Sequence, residues 1–148
     1  MTSYYQKQMN TELSNIKNTF PKEEKLCSTK AIDKLFSSGQ SFIAYPLRVV
    51  YTVENEPEVN HQLAAILTSV SKKKFKRAVK RNRVKRLIRE AYRLNKHELS
   101  ALLKEKGKRM DIAFLYLKNE LPEYTEIEKA ILKTVSVLIS KLREGVPE

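Results

Sequence analysis

A dense run of basic residues is the part of this chain best suited to chemistry. Eleven of the eighteen residues from Lys72 to Arg89 are Lys or Arg, and none is acidic. The whole chain has 29 basic and 17 acidic residues, so removing these eleven leaves 18 basic against 17 acidic residues. The sequence therefore describes a nearly neutral protein with one concentrated cationic segment, which is typical of a polyanion-binding protein.

The second half of this segment has the periodicity of an amphipathic helix. At 100° per residue, an apolar stripe forms from Val84, Leu87, Ile88, Ala91 and Leu94. The opposite side carries Asn82, Arg86, Arg89 and Arg93, with Arg81 and Lys85 at its flanks. We expect one face of the helix to pack on the protein and the other to be offered to a partner.

Solubility alone does not explain this arrangement of charge. A solvated helix face normally mixes acidic and basic residues, whereas no acidic residue occurs here before Glu90. The cations also crowd the predicted helix N-terminus, from Lys80 to Arg83, where the helix dipole disfavours each one by about 0.3–1 kcal/mol. Phosphate groups would offset both costs.

The type of basic residue favours RNA as the polyanion. Arginine, which dominates the helix face, pairs with two phosphate oxygens or stacks on bases. A membrane surface is disfavoured because the apolar stripe is needed for packing. Double-stranded DNA stays possible on charge alone, although no helix-turn-helix, zinc-finger or leucine-zipper pattern supports it.

A self-sufficient metal-dependent nuclease finds little support. Asp33 and Asp111 are the only aspartates, His61 and His97 are isolated, and the glutamates lack a recurrent ligand spacing. We therefore predict no catalytic residue and no metal site in this chain. The single cysteine, Cys27, excludes an internal disulfide and a cysteine metal cluster.

The elements that must position the basic helix follow from the other apolar patterns. A short amphipathic helix ends at Gly39, and residues 41–53 form one strand, or two if Pro46 interrupts it. Residues 61–70, apolar on both faces, predict a central strand, and 110–117 a further strand before a C-terminal helix. We predict an α+β two-layer sandwich, with three helices on a mixed sheet of about four strands.

The length of 148 residues suits one compact domain. We assign polar residues 1–19 to a flexible N-terminal extension and residues 20–148 to a single RNA-binding α+β domain. Because no apolar run approaches the roughly 20 residues of a membrane span and no signal peptide is apparent, we predict a cytoplasmic protein without membrane contact.

A specific motif lies inside the basic segment. Ser71-Lys72-Lys73 follows a predicted strand, and Arg81-Asn82-Arg83-Val84-Lys85-Arg86-Leu87-Ile88-Arg89-Glu90 comes eight residues later. These residues resemble the signature of the bacterial ribonuclease P protein component. The resemblance covers about residues 20–143, because the short helix, the strand to Tyr51 and the final helix occur in that family's order.

The resemblance implies a fold similar to the second domain of a small-subunit ribosomal protein, with a left-handed crossover through the basic helix. It also implies that the chain is the protein subunit of an endoribonuclease. There the RNA subunit, with bound Mg²⁺, frees the 5′ leader from precursor tRNA. The protein alone is expected to be inactive, and no obligate protein partner is expected.

The resemblance also implies roles for individual residues. The RNA subunit would be contacted by Lys72, Lys73, Lys74, Arg81, Asn82, Arg83, Lys85, Arg86 and Arg89. Leader bases would stack on Phe36, Phe42 and Tyr51 in a cleft between the first helix and the sheet. Ile32 stands where family members often carry a second aromatic, so one stacking contact would be weakened or replaced by an apolar one.

A ribosomal or general RNA-binding protein without a processing role fits the charge and the predicted fold equally well. Only the detailed signature disfavours it.

Overall fold

A mixed four-stranded sheet with four helices forms from the described residues, 25–55 and 63–144, in a computed structural model of the chain. In chain order the elements are α1 (Thr29–Ser38), β1 (Gln40–Ala44), β2 (Leu47–Glu54), β3 (Ala64–Ser69), α2 (Ala78–Asn95), α3 (His97–Lys106), β4 (Arg109–Tyr116) and α4 (Tyr124–Glu144). The predicted α+β class is confirmed. The predicted extension, residues 1–19, lies outside the described residues.

The predicted strand over residues 41–53 is a hairpin of two strands. Pro46 interrupts it because proline has no N–H to donate to the hydrogen bonds between strands. The peptide bond between Tyr45 and Pro46 is cis. β1 and β2 pair antiparallel, from Gln40 opposite Tyr51 to Ala44 opposite Leu47. This register decides which side chains of the hairpin share a face.

The predicted central position of residues 61–70 is wrong. The strand order is β1-β2-β4-β3, so β3 lies at the end of the sheet and pairs in parallel with β4. Two features make β3 resemble a central strand. Apolar clusters cover both of its faces, and its outer edge is partly covered where Leu26 N–H donates to Ile66 O at 2.8 Å.

A helix that was not predicted, α3, lies between the basic helix and β4. In the sequence, the apolar periodicity of the basic helix extends to Leu94, and no glycine or proline follows closely to mark the end of the helix. Lys96, between α2 and α3, keeps near-helical angles (φ −83°, ψ −10°). α3 ends at Gly107, whose φ of +63° is the left-handed conformation common after helices. The handedness of the β3-to-β4 crossover stays a prediction.

The helices divide between the two faces of the sheet. The main core, with Ile88 of α2, Phe114 of β4 and Leu138 of α4, fills one face. α1 packs on the other face through Leu35, which contacts a smaller cluster that includes Val50. The basic helix is thus held on the large core, on the side of the sheet opposite α1.

Candidate nucleic-acid interface

The buried side of α2 fixes the orientation of its charges. Val84, Ile88, Ala91 and Tyr92 are buried, and Leu87 packs half-buried against the same core. Tyr92 also contacts Phe114, with ring centroids 6.2 Å apart. The predicted stripe is therefore confirmed from Val84 to Ala91, with Tyr92 as an addition, whereas Leu94 is 39% exposed. α2 cannot rotate without exposing the buried residues.

The outward side of α2 carries a cationic surface. Three exposed polar residues lie along it: Asn82, Arg83 and Arg86. None of their side chains forms a hydrogen bond or ion pair with another described residue. Val79 is 78% exposed at the start of the same helix, so an apolar contact lies beside the charges.

Two of the predicted RNA-binding residues, Lys74 and Arg81, form hydrogen bonds that hold the loop before α2, and their RNA-binding role stays a prediction. Arg81 donates from one guanidinium nitrogen to the carbonyls of Phe75 and Lys76, at 2.7 and 2.9 Å. Lys74 donates from Nζ to Leu117 O at 2.7 Å, which ties the loop to the end of β4. These contacts hold the loop that carries the exposed Lys72 and Lys73. They also engage N–H groups of Lys74 and Arg81 that could otherwise donate to RNA.

The far flank of the surface is partly engaged within the protein. Arg89 is half-buried and one of its guanidinium nitrogens lies 3.5 Å from Thr68 Oγ1, and Lys85 is also half-buried. Arg93 forms an ion pair with Glu90. Their hydrogen bond raises the pKa of Arg93, and the carboxylate marks where the purely cationic surface ends.

The three predicted leader-binding aromatics do not lie on one surface. Phe36 is 47% exposed on α1, on the face of the sheet that α1 covers. Phe42 and Tyr51 point to the other face, because their strand partners Val49 and Ile112 belong to the main core. Tyr51 is only 4% exposed, and it meets Phe42 edge-on at 6.0 Å. Their leader role stays a prediction.

Sequence reasoning missed the residues that share the α1 face. On the neighbouring strands, Ile43 of β1 pairs with Arg48 of β2, and Arg48 pairs with Leu115 of β4. Paired residues point to the same side of a sheet, and Leu115 packs against the cluster under α1, so all three lie on the α1 face. Ile43 is 50% exposed and Arg48 is exposed. The sequence shows that Ile43 and Arg48 alternate with Phe42 and Val49. Only the hairpin register shows which face of the sheet each of the two pairs occupies.

The described residues hold no group of three or more His, Cys, Asp or Glu side chains that could bind a metal ion. Within the same residues, no helix combines the length and the apolar character needed to cross a membrane.

Comparison with known proteins places these features in a family. The family model for ribonuclease P matches residues 20–138. The ribonuclease P protein component of Porphyromonas gingivalis strain W83 is 47% identical over 114 residues, which cover 77% of this chain and 82% of that protein. That of Chlorobaculum tepidum is 38% identical over 139 residues, covering 86% and 90%.

Solved structures share the fold. The Staphylococcus aureus RNase P protein superposes with a TM-score of 0.59 at 18% identity, covering 77% of this chain and 94% of that one. The Thermotoga maritima RNase P protein gives 0.58 at 20% identity, covering 77% and 96%. The match over most of the sequence, together with the shared fold, shows that the chain belongs to the ribonuclease P protein family.

Proposed function

We propose that this chain is the protein subunit of ribonuclease P. It binds the RNA subunit through the outward side of α2 and promotes endonucleolytic removal of the 5′ leader from precursor tRNA. The alternative of a general RNA-binding protein is not favoured, because the relatives are ribonuclease P protein components.

The observation that carries the proposal is a rigid cationic surface without internal counterions. Asn82, Arg83 and Arg86 project from a helix whose other side is buried, so their spacing is fixed before any ligand arrives. The helix backbone that carries these donors needs no ordering when it meets phosphates of a folded RNA, and the conformational entropy lost on binding is that of the side-chain rotamers. Lys72 and Lys73 extend the array from the loop that Arg81 and Lys74 hold.

The leader is proposed to bind on the α1 face. Phe36 offers an exposed ring for a base, and Arg48 on the same side of the sheet supplies a cation for the backbone. Phe42 and Tyr51 would act from behind, by packing the sheet that supports this face.

Chemistry at the scissile phosphodiester is proposed to come from the RNA subunit, with Mg²⁺ bound mainly by that RNA. The protein's part is to bind and orient. Its cations would reduce repulsion between the two RNA molecules and so lower the Mg²⁺ concentration that the holoenzyme needs.

Reconstitution tests the proposal directly. Purified protein alone should leave precursor tRNA intact, and adding the cognate RNA subunit and Mg²⁺ should give cleavage at the mature 5′ end. Cleavage by protein freed of RNA would contradict the division of roles.

A second test measures the interface. Arg86→Ala should weaken RNA-subunit binding and reduce the slope of log K against log salt by about 1, the value for one lost phosphate contact. Lys133→Ala, which removes an exposed cation on α4, is the matched control and should leave the slope unchanged. An unchanged slope in Arg86→Ala would place that residue outside the phosphate interface.

A further inference from the structure

A groove of about 670 Å³ lies between α4 and the junction of α2 with α3. Leu94 of α2 and Leu132 of α4 line it and are 39% and 48% exposed, and the buried Val135 and Ile139 belong to the main core, on the face of the sheet opposite α1. Leu94 lies eight residues beyond Arg86, about 12 Å further along the same helix. The groove is therefore distinct from the cationic surface of α2 and from the α1 face.

The charges around this groove differ from those of the chain as a whole. The chain has a formal net charge of +12, whereas the Lys, Arg, Asp and Glu side chains that line the groove are Glu98, Arg143 and Glu144. Arg143 and Glu98 form an exposed ion pair at 3.9 Å, so these three residues share one end of the groove, the carboxylate-rich end. Two strongly basic chains can approach each other here without bringing like charges together.

The exposed stripe of α4 beside the groove is complementary to itself in charge. Lys129 lies on this stripe seven residues before Ser136, and Glu144 lies eight residues after it. Along the helix axis the two charges are therefore about 10 and 12 Å from Ser136, in opposite directions. If two α4 helices lay antiparallel with their midpoint at Ser136, Lys129 of each copy would meet the carboxylate-rich end of the other.

The same arrangement is complementary in shape. Leu132 lies four residues before Ser136 and Ser140 lies four residues after it, so the antiparallel arrangement places Leu132 of each copy opposite Ser140 of the other. Both serines are exposed and have small side chains, which allows two helices to approach closely. Leu132 can then enter the groove of the other copy as a knob enters a hole.

We infer that this groove is an interface between two copies of the chain, which associate antiparallel through α4 about a twofold axis near Ser136. Burial of Leu94 and Leu132 supplies the apolar contact, and the attraction between Lys129 and the carboxylate-rich end fixes the direction. Because each copy contributes only two large exposed apolar side chains, the association is weak and depends on concentration. The inference goes beyond the proposed function, which uses neither this groove nor α4.

Sedimentation equilibrium of the full chain without RNA tests the inference. The average mass should rise with concentration from that of one chain toward that of two. Leu132→Gln should weaken self-association about tenfold or more, because two apolar contacts are lost at each interface. Leu121→Gln changes a leucine of similar exposure, 40%, outside the groove and should stay within about twofold of the unaltered protein.

Two results of this experiment would overturn the inference. One is a single-chain mass at every concentration up to about 1 mM, where an association free energy of only about 4 kcal/mol would be visible. The other is an equal loss of self-association in Leu121→Gln and Leu132→Gln. Leu132 is exposed, so urea unfolding of Leu132→Gln should match that of the unaltered protein and show that the loss is not one of folding.

A charge exchange tests the antiparallel direction at constant ionic strength. Lys129→Glu should weaken self-association, and adding Glu144→Lys to it should restore most of the loss. Within one chain the two positions are fifteen residues apart, about 22 Å along a helix, which is too far for direct pairing. Restoration therefore requires contact between copies, and a double variant that is as weak as Lys129→Glu alone would overturn the proposed arrangement.

The RNA subunit is the competing occupant of the groove. In protein dilute enough to be a single chain, Leu132→Gln should bind the RNA subunit within about twofold of the unaltered protein. A tenfold loss of this affinity would assign the groove to RNA and overturn the inference. Because sedimentation is measured without RNA, failure of the proposed function in the cleavage assay would leave the self-association result unaffected.

Discussion

Two arginines of the same helix should respond to truncation in opposite ways. Arg81→Ala removes a guanidinium that holds the carbonyls of Phe75 and Lys76, whereas Arg86→Ala removes an exposed side chain without a partner among the described residues. We expect Arg81→Ala to lower the free energy of unfolding and Arg86→Ala to leave it nearly unchanged.

The size of the effect follows from the two hydrogen bonds. A hydrogen bond to a charged group contributes about 1.5–3 kcal/mol when well shielded. Both bonds here are at least partly exposed, and water can replace the lost donor, so their joint contribution is reduced to about 2 kcal/mol. Arg86→Ala has no such loss, and surface changes of this kind usually stay within about 0.5 kcal/mol. Arginine and alanine are both good helix formers, so helix propensity adds little to either value.

Urea unfolding followed by circular dichroism measures the stability, and RNA-subunit affinity over a range of salt measures the phosphate contacts. Arg81→Ala should lower both the stability of the protein and its affinity for the RNA subunit but keep most of the salt slope, because the guanidinium N–H groups of Arg81 bind carbonyls of the protein itself. Arg86→Ala should keep stability and lose about one unit of slope. The reasoning is refuted if Arg81→Ala is as stable as Arg86→Ala and loses an equal slope, because Arg81 would then contact phosphate directly.

Three further predictions test other parts of the structure. Gly39→Ala should lower the free energy of unfolding by about 3 kcal/mol, because the new Cβ would lie 2.3 Å from Leu35 O. Gly107→Ala should lower it by only about 1 kcal/mol, the cost of a positive φ at alanine. A larger loss in Gly107→Ala than in Gly39→Ala, measured by urea unfolding, would contradict this. Burial raises the pKa of Asp111, so the folded state holds its proton more tightly than the unfolded chain. The stability of Asp111→Asn relative to the unaltered protein should therefore increase as pH rises from the ordinary carboxyl range to the raised pKa and then level off, and a pH-independent difference would contradict it. Phe36→Ala should lower the affinity of the holoenzyme for precursor tRNA relative to mature tRNA by about 1–3 kcal/mol, whereas Tyr51→Phe should not, and equal effects would contradict the assignment of faces.

Local periodicity was enough to predict how α2 divides into a packed and an open side. The stripe of Val84 and Ile88 repeats within two turns, so no distant residue is needed to read it. The roles of Lys74 and Arg81 could not be read in this way. Lys74 finds its acceptor 43 residues away, at Leu117, and a lysine that anchors a loop has the same sequence pattern as one that waits for phosphate.

The position of β3 shows a second limit of sequence patterns. Apolar residues on both faces indicate only that both faces are covered, and α1, α2 and the segment at Leu26 provide that cover at the end of the sheet. Sheet order depends on which strands pair, and here β4 pairs on one edge with β2 over eight residues and on the other edge with β3 over six.

Strand parity explains why the aromatics predicted to bind the leader lie on different faces of the sheet. Side chains alternate along β1 and β2, so the set that contains Phe42 and Tyr51 enters the core and the set that contains Ile43 and Arg48 faces the α1 side. The end of α1 lies close to this side, because a Cβ at Gly39 would lie 2.9 Å from Cγ1 of Val50, which belongs to the cluster on this face. A leader RNA strand bound on this face would therefore contact Phe36 as well as Ile43 and Arg48. Arg48→Ala should then weaken precursor binding more at low salt than at high salt, whereas Phe42→Leu should act mainly on stability.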